Sequence, residues 1–290
     1  EARNLRGESF VVFTNEINQC IYDLLQSRDR HEQLGAIGAI VELVYVKCDE
    51  KRDAIFQHLT LVHNNYLHVM LLKADDEILE MAARALGVIA GKSQGMQTGQ
   101  TVQWDITRAL KWMRDPMMRR ASVLLLTELA KNAPTFFHMH IKGFFEHIWD
   151  VMCDARLATR MGAVSALREC LVILAEREGR GRTTWYKKLL DQAQQGLRDP
   201  TPEVIHGSLL TIAELVHNSV DFLVGAHRFP AVCDAVLRFR DATTYPWAND
   251  GLDGHDHAAT GGGGPGPGGG DTDMLRMAVM DMIPSLARLD

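Results

Sequence analysis

Asp115–Asn132 reads Asp-Pro-Met-Met-Arg-Arg-Ala-Ser-Val-Leu-Leu-Leu-Thr-Glu-Leu-Ala-Lys-Asn. A polar turn headed by an aspartate opens the stretch. The run that follows is apolar around most of a helix circumference. A carboxylate at that place can accept from the free amides that begin a helix, and a proline just after it gives up no useful N–H. A helix apolar on nearly every side needs cover on nearly every side. One amphipathic partner cannot supply that cover, but a stack of helical pairs can.

The same pattern recurs along the chain. Aspartates in short polar turns stand at Asp29, Asp75, Asp115, Asp154, Asp199 and Asp271, separated by 46, 40, 39, 45 and 72 residues. A period of about 40–47 residues is that of HEAT and armadillo-type repeats. The last gap equals one period plus an insertion. All six aspartates are expected to act as structural helix caps. Asp115-Pro116 and Asp199-Pro200 repeat the proline, Asp29-Arg30-His31-Glu32 has capping-box spacing, and Asp75-Asp76-Glu77 sets negative charge against the helix dipole. Small residues follow at Gly35, Ala82, Ala121, Gly162, Gly207 and Ala278 and are expected to let neighbouring helices approach. Arg120 and Arg160, early in their second helices, are expected to reach an aspartate of an adjacent repeat.

The fold class is therefore all-α, an α-solenoid of about six HEAT-type helical hairpins. Helix pairs are predicted at about 8–46, 51–91, 101–132, 135–176 and 184–218, with a sixth that begins near 221 and resumes at 272–289. In each pair the first helix is amphipathic. Phe137, Ile141, Phe144, Phe145, Ile148 and Val151 recur at three- and four-residue steps, with His138, Lys142, Glu146 and Asp150 elsewhere. The domain reading is a solenoid over 1–240, a Gly/Asp-rich disordered insertion over 241–271, and an inner helix of a further repeat over 272–290. Pro284 inside that last helix is expected to kink it. The chain begins without Met or a signal-peptide pattern and ends on an apolar helix. It reads as a segment of a longer protein.

Composition excludes several classes. The net charge of −6 resides in Asp241, Asp250, Asp253, Asp256, Asp271 and Asp273; the remainder holds 31 acidic and 31 basic residues. A balanced surface gives no electrostatic case for nucleic acid or anionic lipid. Five cysteines, none in a CxxC, read as small buried hydrophobes in a reducing compartment. No apolar run reaches the length of a bilayer span.

The sequence carries little that reads as chemistry. Gly264–Gly269 matches GxGxxG but follows no strand and contains two prolines. His138 and His140 fall on different helix faces, and His255 and His257 sit in low-complexity sequence. His206 and His217 read as satisfied histidines. Arg177, Arg180, Arg182, Lys187 and Lys188 read as a solvated basic turn rather than a phosphate site. Trp104, Trp112, Trp149 and Trp185 are expected to pack in core or groove. No catalytic, cofactor-binding or metal residue is assigned, and no partner-binding residue can be named.

Certain stretches go beyond a generic repeat: Arg108–Met113, Arg119–Phe137, Gly162–Leu171, Trp185-Tyr186 and His206–Val216. In this order and spacing they resemble the N-terminal HEAT region of the target-of-rapamycin Ser/Thr kinases, of the phosphatidylinositol-3-kinase-related family. Phe13–Leu43 and Met274–Leu289 fit the same region, and the Gly/Asp insertion departs from it. The resemblance implies a parent enzyme that phosphorylates proteins with ATP and Mg²⁺ and couples nutrients to growth. It implies that this segment carries no cofactor and no catalysis and docks a raptor-type substrate-recruiting subunit and, in some members, a small activating GTPase. The parent would be a dimeric multi-subunit complex, cytoplasmic and held to endomembranes, vacuole or lysosome through partners. The alternative is a HEAT adaptor of another class, such as a transport receptor or a phosphatase scaffold.

Overall fold

The computed structural model describes residues 7–45, 50–73, 75–92, 96–179, 181–224, 228–240 and 269–287; at 50–59, 96–98 and 269–271 the backbone alone is described. Most of the insertion, including the glycine motif and the His255/His257 pair, lies outside these residues, as do Cys48 and Arg180. Among the described residues every regular element is helical, as the pattern of apolar residues requires. The chain divides into two compact units, Glu1–Phe144 and Phe145–Asp290.

The first unit contains α1 (Glu8–Gln26), α2 (Arg30–Val44), α3 (Glu50–Met70), α4 (Asp76–Lys92), α5 (Met96–Trp112), α6 (Arg119–Asn132) and α7 (Pro134–His138). The second helices α2, α4 and α6 pack in succession, and α1, α3 and α5 each cover their own partner. Ala121, Val123, Leu125, Leu126 and Leu129 of α6 are all buried, which is the cover that its apolar circumference demanded. Closeness at the α4–α6 seam comes from Gly87. A Cβ placed there would lie 2.7 Å from Glu128 Cβ. Gly35, by contrast, would meet nothing within 4 Å, so the expectation that it marks a close approach is incorrect. It faces solvent on α2, and small size there serves no contact.

The division falls within α8 (Ile141–Met152). The second unit then holds α9 (Leu157–Arg177), α10 (Arg182–Gly196), α11 (Pro202–Asn218), α12 (Val220–Val224), α13 (Phe229–Leu237), a 3-10 turn at Arg238–Arg240 and α14 (Gly269–Leu286). The helices α9, α11 and α14 again pack in succession, with α10 against α11. Pro284 lies within α14, which continues to Leu286.

The single first helix predicted from about residue 135 is instead two, α7 and α8. The His140 N–H turns back to the Phe137 carbonyl at 2.8 Å, breaking the helix. The apolar spacing nevertheless survives, because Phe137, Ile141, Phe144, Phe145, Ile148 and Val151 are all buried.

The cysteine reading needs correction. Cys170 is buried, and burial raises its thiol pKa well above the ordinary value, but Cys20 is exposed and Cys153 and Cys233 are half-buried. Cys20 lies on the side of α1 away from the buried Phe10, Ile21 and Leu25. Among the described residues no helix is long and apolar enough to cross a membrane.

Candidate docking surface

Each described turn aspartate does the same local work. Its carboxylate accepts from the backbone N–H two residues on: His31 to Asp29 at 2.7 Å, Glu77 to Asp75 at 3.0 Å, Met117 to Asp115 at 3.0 Å, Arg156 to Asp154 at 3.0 Å and Thr201 to Asp199 at 2.9 Å. This is the Asx turn, in which a short carboxylate mimics a backbone carbonyl. Asp29 is itself the N-cap of α2, and Asp75 adds a bond from the Ile78 N–H at 3.1 Å. The Ile78 amide, with Arg30 adding to it against some desolvation, holds the Asp75 carboxyl below the usual carboxylate range. The other three stand two or three residues before the cap. The N-cap positions of α6, α9 and α11 are Met118, Arg156 and Thr201. Asp271 lies inside α14 and not before it, and its side chain is outside the described residues.

Arginines then tie neighbouring hairpins. In the first unit the acidic start of α4 is held from both sides. Arg30 of α2 reaches forward to Asp75 at 3.0 Å and to Glu77; Arg120 of α6 reaches back to Asp76 at 3.3 Å and Glu80 at 2.7 Å. In the second unit Arg168 grips Glu214 through two bonds of 3.1 and 2.6 Å, and the Asn218 amide donates to the same carboxylate at 3.2 Å. That carboxylate holds the Arg168 guanidinium pKa above its ordinary value. Arg160 is buried. It donates to the Asp154 carbonyl at 2.6 Å and the Ala155 carbonyl at 3.0 Å, and across one repeat to His206 Nδ1 at 3.1 Å. Burial, with the adjacent Arg160 charge, lowers the His206 pKa to about 4.

Two of these arginines, Arg30 and Arg168, escaped the sequence reading. Their signal was present: Arg30 to Asp75 spans 45 residues and Arg168 to Glu214 spans 46, one repeat period each. A further tie joins α3 to α5. The Asn64 amide and His68 Nε2 both meet the buried Asp105 carboxylate at 2.7 Å.

The surface between these ties carries apolar side chains. In the first unit Leu72 and Met117, both in turns that precede a second helix, are 62% and 80% exposed. Trp104 on α5 is 68% exposed, which overturns its assignment to core or groove. The face of α5 turned inward is taken by Val102, Ile106 and Ala109, so Trp104 falls on the other side. In the second unit Leu157 and Met161 are exposed at the start of α9, and Met277 and Met280 along α14. Isolated exposed apolar residues are ordinary. Tryptophan and methionine are among the residue types enriched at protein interfaces. Among the described residues no cluster of three or more His, Cys, Asp or Glu is placed to hold a metal ion.

No protein-family model matches the chain. It is 37% identical over 243 residues to the serine/threonine-protein kinase TOR of Oryza sativa, a match covering 82% of this chain and 10% of that kinase. The Arabidopsis thaliana kinase of the same name is 35% identical over 241 residues, covering 82% and 9%. The tor1 kinase of Schizosaccharomyces pombe is 31% identical over 242 residues, covering 82% and 10%. The matching stretch is thus about a tenth of the length of these relatives.

Proposed function

This chain belongs, as a segment, to the target-of-rapamycin Ser/Thr protein kinases, and from that premise we propose that it is a non-catalytic docking scaffold in the N-terminal part of such a kinase. The observation that carries the reading is the exposure of Trp104, Leu72 and Met117 on helices and turns joined across repeats by polar ties, Leu72 and Met117 beside the Arg30 and Arg120 ion pairs and Trp104 beside the Asp105 bonds from α3. Rigid elements present anchors without the ordering cost that a loop would incur. The occupant is a raptor-type substrate-recruiting subunit, with a small activating GTPase as a further partner. The whole protein transfers phosphate from ATP with Mg²⁺ to protein substrates in response to nutrients. It works in the cytoplasm and reaches endomembranes through its partners.

The test is retention of the raptor-type subunit by the purified chain and by a Trp104→Glu, Met117→Glu double variant. Both substitutions are at exposed positions, so circular dichroism is expected to be unchanged. Loss of retention in the variant supports the reading. Equal retention, or none by either chain, sinks it. Continuation of the open reading frame into a kinase domain tests the premise separately.

A further inference from the structure

The start of α10 and the turn that ends α11 border a cavity of about 480 Å³ in the second unit, lined by Arg182, Tyr186, Ser219, Asp221, Phe222 and Arg228 among others. Pockets that take small ligands run from about 300 to 1,000 Å³. The rings of Tyr186 and Phe222 meet edge to face at 5.6 Å. Arg228 lies over the other aromatic partner: its guanidinium carbon is 4.3 Å from the Phe222 ring centroid, and its Nη1 donates to the Phe222 carbonyl at 2.8 Å. Arg182 Nη1 donates to the Ala175 carbonyl at 3.3 Å.

These two arginines differ from the ion-paired ones in one respect. Arg30, Arg120, Arg156 and Arg168 each place the guanidinium on a carboxylate. Arg182 and Arg228 form no ion pair among the described residues; each is steadied by a backbone carbonyl with further N–H groups to offer. Asp221 lines the same cavity and pairs with neither. Its charge is outnumbered two to one.

We infer that this cavity receives a phosphomonoester carried on a small organic body. Guanidinium forks match phosphate oxygens in pairs. Two forks on separate elements suit a dianion with three free oxygens better than a single carboxylate, which one fork satisfies. Asp221 repels a dianion more than a monoanion, and engagement of both guanidiniums is what outweighs it. The volume exceeds what a bare phosphate fills, and edges of Tyr186 and Phe222 line part of the remaining space. In sequence Arg182 belongs to a basic turn, and Arg228 lies 46 residues away. The inference stands on the cavity alone and does not depend on the docking reading.

The experiment is calorimetric titration of the 290-residue chain at constant ionic strength with phenyl phosphate, inorganic phosphate, phenylacetate and a phosphotyrosine peptide. Saturable binding of phenyl phosphate is expected, tighter than inorganic phosphate and at least tenfold tighter than phenylacetate. Arg182→Gln and Arg228→Gln are each expected to weaken it about tenfold, with melting temperature recording that the fold is kept. Arg182→Gln is the safer variant, since its hydrogen bond to the chain is the longer one. No saturable binding at millimolar ligand overturns the inference, as do variants that bind as well as the parent. Equal binding of phenylacetate removes the case for phosphate. A peptide that binds more tightly than phenyl phosphate assigns the site to a protein partner instead of a small molecule.

Discussion

Replacing Gly207 by alanine should destabilise the second unit, although alanine is the better helix former. Gly207 sits in α11 against the last residue of α8. A Cβ added there would lie 2.2 Å from the Met152 carbonyl oxygen and 2.8 Å from its carbon. Both are backbone atoms, so no rotamer change relieves the overlap. Real Cβ contacts almost never fall below 3.0 Å, and α11 must therefore move outward by close to an ångström. That motion disturbs Ile205, Leu209 and Ile212, each fully buried on the same helix. Overpacking a well-filled seam costs about 1–3 kcal/mol, and a clash with backbone belongs at the upper end. The intrinsic gain of alanine over glycine in a helix interior is about 0.5–1 kcal/mol. The net expectation is a loss of about 2 kcal/mol. For a chain of this size that lowers the melting temperature by roughly 4–8 °C. Gly35→Ala supplies the comparison, because a Cβ there meets nothing within 4 Å. It should show the helix-propensity gain alone and raise stability. Scanning calorimetry on both variants reads the difference directly. If Gly207→Ala raised the melting temperature as Gly35→Ala does, the close approach of α11 to α8 would be wrong.

Further outcomes follow from the polar ties. Arg168→Ala should cost about 1–2 kcal/mol, reduced from the buried-pair range because Arg168 itself is largely exposed, since it leaves the buried Glu214 carboxylate without its cation; Arg120→Ala, whose acidic partners are exposed, should cost about 0.5 kcal/mol. Urea titration giving the reverse order would contradict the burial assigned to Glu214. His63 and His206 are buried, and burial lowers each folded pKa to about 4 from an ordinary 6.5. The unfolded chain then binds more protons between those values, so stability falls as pH drops from 6.5 towards 4, by about 2 kcal/mol per histidine at pH 5. A His206→Gln variant should show a shallower decline between pH 7 and pH 5, and an unchanged slope would refute its neutral burial. Tyr186→Phe removes a buried hydroxyl that has no hydrogen-bond partner. Thermal stability should hold or rise by up to about 1 kcal/mol, and a fall of that size would mean the hydroxyl is satisfied.

The helices themselves were readable because their signal is local. Apolar residues at three- and four-residue steps name the buried face of α8, and the fully apolar run of α6 demands neighbours on both sides. The turn aspartates were also visible, but their geometry was only half legible. The carboxylate's preference for the amide two residues on is local; whether the helix starts there or a few residues later depends on the turn's own path, as between Asp115 and Arg119. Trp104 was misplaced because a tryptophan at a helical position satisfies the core pattern and the surface pattern alike. Only the neighbours of α5 decide which side is covered. Arg30 and Arg168 were missed for a related reason: a guanidinium carries no mark of its partner, which stands a whole repeat away.

By itself the sequence determined the class of structure and its period, since helix formation and the need to bury an apolar circumference are set within one or two turns of chain. Its kinship was also written there, in the identities of the inner helices. The tertiary structure alone decided which acid each ion-paired arginine holds, where Gly207 brings two backbones together, and that Arg182 and Arg228 border one cavity with no carboxylate among the described residues paired to either. Those facts depend on distances between residues some 45 to 55 positions apart, and such distances exist only once the hairpins have stacked.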